Sequence, residues 1–185
     1  MITLPSRKRF TVDDFARMRE AGLLSEDDRI ELLDGEIYVM SPVGPLHVAI
    51  VNKLNRILSQ QLGDEAIVSV QNPIRLGDTG EPQPDLALLQ PRADFYTTAL
   101  ATPAEILLLI EVADTSLAYD REQKLPRYAE AAISEVWIVD LASQTIEQYT
   151  QPLQGRYTLV RTILFGETIR ATLLTGINVQ TDILF

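Results

Sequence analysis

The chain has 185 residues and no cysteine, which excludes disulfides, thiolate metal sites and cysteine nucleophiles and leaves a single domain over 1–185 as the expectation. A net charge of −10 and a pI of about 4.5 exclude a general nucleic-acid coat, because phosphate contacts need clustered Lys and Arg. The longest aliphatic run, 106–110, is far too short to cross a bilayer, and the first nine residues lack the apolar stretch of a secretory signal, so a cytoplasmic protein without a membrane partner is expected.

Thr11 opens a first helix as its N-cap, with Asp14 three residues on to complete a capping box, and Gly22 closes it. Residues 29–40 read as a β-hairpin, because Asp34-Gly35 supplies the two positive-φ residues of a type I′ turn. Ser41-Pro42-Val43-Gly44-Pro45 then breaks the chain. A helix is predicted over 47–62, where Ile50, Val51, Leu54, Ile57, Leu58 and Leu62 recur at three and four and Gly63 stops the run.

Strands are predicted over 66–70 and 74–76, interrupted by Pro73, then over 85–89 and 106–112. Gly77-Asp78-Thr79-Gly80 lacks the lysine and length of a phosphate-binding loop and reads as a turn. A helix from Asp120, as cap, to Ala132 would bury Leu125, Tyr128, Ala129 and Ala132, with Pro126 delaying or bending it. A buried strand over 135–140, a hairpin over 145–150 and 156–160, and short strands past Ile169 complete the chain. The helix between the strands at 106–112 and 135–140 makes that link a parallel, right-handed crossover. The order describes an α/β domain: a mixed sheet flanked by helices.

Two acids stand at strand rims. Asp85 follows Pro84, which suits a strand edge, and Glu111 closes five aliphatic residues. Side by side, two carboxylates repel strongly, and a Mg²⁺ between them would remove the repulsion. Unrelated strand-end acids facing water are the alternative. Arg121, Lys124 and Tyr128 fall on one helical stripe that would border the sheet, so Lys124 could lean toward Glu111 with Tyr128 orienting it. Glu31 is either a third acid in this site or a partner of Arg29. Asp120 reads as a cap or an arginine partner rather than a ligand. His47, the sole histidine, excludes a histidine-rich metal site; at a helix start it reads as a capping, packing or accessory residue.

These residues occur together in a recognisable pattern: Glu31 to Ile37, His47, Pro84-Asp85, Glu111-Val112, Asp120 with Lys124 four residues on, Tyr128-Ala129 and Glu135 to Asp140. The pattern covers nearly the whole chain and closely resembles the Uma2 family of endonucleases. The resemblance implies the restriction-endonuclease-like PD-(D/E)XK fold, an αβββαβ core here preceded by an N-terminal helix and hairpin. It implies Asp85 and Glu111 as ligands of Mg²⁺ or Mn²⁺, and a nucleic-acid substrate, with DNA favoured. Ala113 stands where the superfamily has its lysine, and Lys124 would supply that group from the helix. Asp114 replaces a frequent serine and Ala132 a frequent glycine. Two functions follow: a metal-dependent endonuclease, with a homodimer if both strands are cut, or a nuclease-like module that binds without cutting.

Overall fold

The computed structural model describes residues 7–25 and 28–185. Most of the N-terminal stretch read above for a signal, residues 1–6, lies outside it. Helix α1 (Val12–Glu20) starts with the expected capping box: Asp14 N–H donates to Thr11 Oγ1 and Thr11 N–H to Asp14 Oδ2, both at 3.1 Å. Strands β1 (Ile30–Leu33) and β2 (Glu36–Val39) form the hairpin, with Asp34 at φ 50° and Gly35 at φ 74° in its turn. Any side chain at Gly35 would press on the Phe10 backbone, 2.7 Å from an added Cβ, so the turn also seats the segment before α1.

Helix α2 (Pro45–Leu62) begins two residues earlier than its apolar period suggests, since proline is well placed in a first turn where its missing N–H costs nothing. Strands β3 (Ile67–Val70), β4 (Leu86–Leu89) and β5 (Ile106–Ala113) follow. Residues 74–76 are not a strand: Leu76 bridges only Gly80, and beyond Pro73 the chain turns away from the ladder. The crossover comprises α3 (Leu117–Tyr119), a wide π-type turn (Asp120–Lys124) and α4 (Leu125–Glu130). Then come β6 (Glu135–Asp140), β7 (Thr145–Leu153), β8 (Arg156–Ile163), β9 (Thr168–Arg170), β10 (Asn178–Gln180) and α5 (Thr181–Leu184). The last long hairpin outruns its predicted ends at Thr150 and Val160, because Gln154 and Gly155, both at positive φ, form its turn.

The sheet order is β3-β4-β5-β6-β7-β8. Only β5 and β6 are parallel, with Glu111 opposite Ile138; the other neighbours are antiparallel. The αβββαβ core is therefore present. One face packs Ile50, Leu54 and Leu58 of α2 on Leu88, Leu108, Ile110 and Trp137, and the other packs Tyr128 and Ala129 of α4 on Leu109, Ala113 and Ile138. The alternation along β5 sends Leu108, Ile110 and Val112 to α2, and Leu109, Glu111 and Ala113 to α4.

The crossover helix corrects two expectations. Asp120 is not a cap, because the helical segment begins upstream at Leu117. Leu125 N–H reaches back five residues to the Asp120 carbonyl, and Pro126, which has no N–H to donate, follows at once. Ala132 is exposed rather than buried, since the helix ends at Glu130 and Ala132 takes φ 59°.

Candidate active site

A cavity of about 300 Å³ opens where β5 ends, between the start of α2, the segment after β2 and the crossover helix. Asp85, Glu111, Asp120, Lys124, His47 and Gln71 line it. The wide turn selects what the crossover helix contributes. Regular spacing would group Arg121, Lys124 and Tyr128. Instead Asp120, Lys124 and Tyr128, each four residues apart, are buried at 3, 2 and 0 % exposure. Arg121 is displaced from the stripe and forks onto Glu147, with nitrogen–oxygen distances of 2.9 and 2.6 Å. Arg127 pairs with Asp34 at 2.7 Å. The basic cluster around Lys124 is thus committed to partners within the chain.

Lys124 donates to Glu111 Oε1 at 3.0 Å and to the Gln83 carbonyl at 3.3 Å, and it ion-pairs with Glu31 Oε2 at 3.4 Å. Tyr128 donates its hydroxyl to Glu111 Oε1 at 2.6 Å, so it holds the acid rather than the lysine. Glu31 belongs to this cluster and not to Arg29, whose guanidinium donates to the Ser41 carbonyl. Both Glu31 oxygens are engaged, Oε1 by the Tyr119 hydroxyl at 2.6 Å and Oε2 by Gln83 N–H at 3.0 Å. Glu31 points away from Ile30 and Leu32, which pack on α1, in keeping with strand alternation; all four residues of β1 are buried because the crossover helix covers the Glu31 side.

Asp85 is held from three sides: His47 Nε2 at 3.1 Å and Gln71 Nε2 at 3.2 Å on Oδ1, and Val112 N–H at 2.8 Å on Oδ2. His47 is therefore a buried partner of Asp85 rather than a helix cap. An Nε2–H faces the carboxylate, and Nδ1 is buried with no hydrogen-bond partner among the described residues. Ser116 Oγ donates to Asp120 Oδ2 at 2.7 Å, and no arginine pairs with Asp120. The buried Asp120 is the site residue that sequence reasoning missed; its spacing of four from Lys124 was the available signal.

Burial tends to raise Asp85, but the hydrogen bond and charge of His47 and the Val112 N–H outweigh it and hold the carboxyl below its ordinary value. Glu111 goes the other way: burial, helped by the charges of Asp120 and Asp85 and opposed by Lys124, pushes it up to about 8. Burial raises Asp120 as well. Loss of water works against the Lys124 charge, yet Glu111, Glu31 and Asp120 hold the ammonium protonated. Four carboxylates thus surround one ammonium, an excess of negative charge that a retained proton on Glu111 or a bound cation would offset.

The donor set suits a hard divalent ion. Asp85 and Glu111 present oxygens to one cavity, and Glu111 Oε2 has no hydrogen-bond partner among the described residues. No three His, Asp or Glu groups among those residues form a ready cage. Mg²⁺ can be held by one or two carboxylates, with water and substrate phosphate completing its shell.

No helix among the described residues is long and apolar enough to cross a membrane. No curated protein matches the chain. A crystal structure of "a putative nuclease belonging to DUF820" from Anabaena variabilis ATCC 29413 superposes with a TM-score of 0.76, covering 95% of this chain and 97% of that one at 15% identity. At that identity the likeness establishes the shared fold. Residues 12–183 match the model of the Uma2 family, described as "Putative restriction endonuclease". With the match spanning nearly the whole chain, the protein belongs to the Uma2 family.

Proposed function

We propose that the protein is a metal-dependent endonuclease that hydrolyses phosphodiester bonds, with DNA as its substrate, acting as one nuclease-like domain in the cytoplasm. The observation that carries this reading is the convergence of Asp85, Glu111 and Lys124, drawn from two strands and a helix, on one cavity. Asp85 and Glu111 would hold Mg²⁺ or Mn²⁺, which supplies phosphate polarisation and a bound water of lowered pKa. Lys124 orients that water or stabilises charge developing on the phosphate. Its helix places the ammonium against Glu111, so a lysine two residues after the acid is not required. Tyr128 and His47 hold the two acids in place, and Glu31 holds the lysine. Cutting both strands together would favour a homodimer with two such sites.

One observation favours the second reading, a module that binds without cutting: the ammonium is already engaged by two hydrogen bonds and an ion pair with Glu31. Incubating the pure protein with plasmid, single-stranded DNA and RNA in Mg²⁺ and Mn²⁺ decides between them. Cleavage lost in Asp85→Asn supports the nuclease. Cation binding by calorimetry without cleavage of any substrate supports the module. Binding of neither cation refutes the metal reading.

A further inference from the structure

We infer that Gln71 is a positioning residue for Asp85, a role that rests on the metal-dependent reading of the site. Among the described residues, Gln71 alone of the non-glycine residues at positive φ lines the cavity, at φ 50°. The left-handed region is unfavourable for any side chain with a Cβ and comfortable for glycine. A glycine would make this turn more cheaply, so the reason for a glutamine here is sought in the bonds of its side chain.

Its bonds show what that is. Gln71 N–H donates to the Asp85 carbonyl at 2.9 Å, extending the β3–β4 ladder by one pair. Its side-chain amide then turns back onto Asp85 Oδ1. Its carbonyl accepts from the Gln83 side chain, while the Gln83 backbone receives Lys124 on its oxygen and donates to Glu31. The two glutamines form a polar clip from Asp85 to the Lys124 ammonium. The left-handed turn aims the amide at the carboxylate, and the clip fixes the distance between the acid and the lysine. Groups that hold a metal-binding carboxylate in this way typically change metal affinity by about tenfold or more when removed.

The test compares the full-length wild type with Gln71→Gly and Gln71→Asn. Glycine relieves the backbone and deletes the amide. Asparagine tolerates the left-handed turn, but its amide is one methylene short. Melting is measured without metal, and Mg²⁺ and Mn²⁺ binding by calorimetry. The expected result is that Gln71→Gly melts at or above the wild-type temperature while both variants bind the cations roughly tenfold more weakly. Wild-type affinity in either variant overturns the role, and so does a metal-free Gln71→Gly that melts well below wild type, because the side chain would then serve the fold. A wild type that binds neither cation removes the metal reading and this role together; a variant matching a wild type that does bind removes this role alone.

Discussion

Replacing Lys124 with alanine perturbs the buried charge cluster at its centre. The side chain is 3 % exposed, donates to Glu111 and the Gln83 carbonyl, and pairs with Glu31. Without it, Glu31, Glu111 and Asp120 face one another out of water. Removing one partner of a buried ion pair costs roughly 3–5 kcal/mol. Glu111 softens the loss by keeping a proton, since its carboxyl already sits at about 8. The lower end of the range, about 3 kcal/mol, is therefore expected at neutral pH. At roughly 2–4 °C per kcal/mol for a chain of this size, the melting temperature should fall by about 6–12 °C, followed by circular dichroism. The deficit should shrink at pH 5, where burial favours the protonated forms of Glu111 and Asp120, and in saturating Mg²⁺. Metal affinity should hold or tighten, because a nearby positive charge opposes cation binding, while cleavage is lost. A loss below about 1 kcal/mol, the scale of an exposed pair, would refute the buried cluster.

Glu111 sets a pH dependence for the metal-free protein. Its folded-state value, about 8, lies above its ordinary 4.5, so its contribution to stability is complete below 4.5 and disappears as pH rises through 8. Melting should be lower at pH 9 than at pH 6 without metal, and Glu111→Gln should flatten that difference; an unchanged slope in the variant rules out Glu111 as its source. Ala132→Gly should stabilise the fold by about 1 kcal/mol, read as a higher melting temperature, because φ 59° strains alanine and not glycine. Arg121→Ala should cost under about 1 kcal/mol and leave Mg²⁺ affinity intact, since its partner is Glu147; a loss of affinity would return Arg121 to the site.

Local rules read well wherever a few neighbouring residues decide the structure. Thr11 with Asp14, Asp34 with Gly35, and the apolar period stopped by Gly63 each stand where they were expected. The order of elements carried the fold, including the parallel link between β5 and β6. The convergence of Asp85, Glu111 and Lys124 was also legible, because rim acids and a helix crossing the same sheet have few other places to go. The losses come from local irregularity and from contacts between elements distant in sequence. The helical period alone allows either Asp120 or Arg121 to share a face with Lys124, and the crossover with its wide turn buries Asp120 and leaves Arg121 outward. Glu31 obeys strand alternation, but its burial came from the crossover helix covering that side of β1, a fact of packing that no short window contains. His47 looked like a helix-start residue because its partner, Asp85, lies on a different element.

The hairpin that carries Glu31 also bears on the order in which the chain can assemble. Its links to the crossover helix span 88 residues from Tyr119 to Glu31 and 93 from Arg127 to Asp34. Closing such long loops is slow, and nothing rewards it until both ends are built. Glu31 cannot leave water before the Lys124 ammonium is there to meet it. During synthesis, the hairpin must therefore wait in solvent until the crossover helix has emerged and packed on the sheet. The docking that seats the ammonium also completes the cavity, so the cavity forms only once the crossover helix has packed.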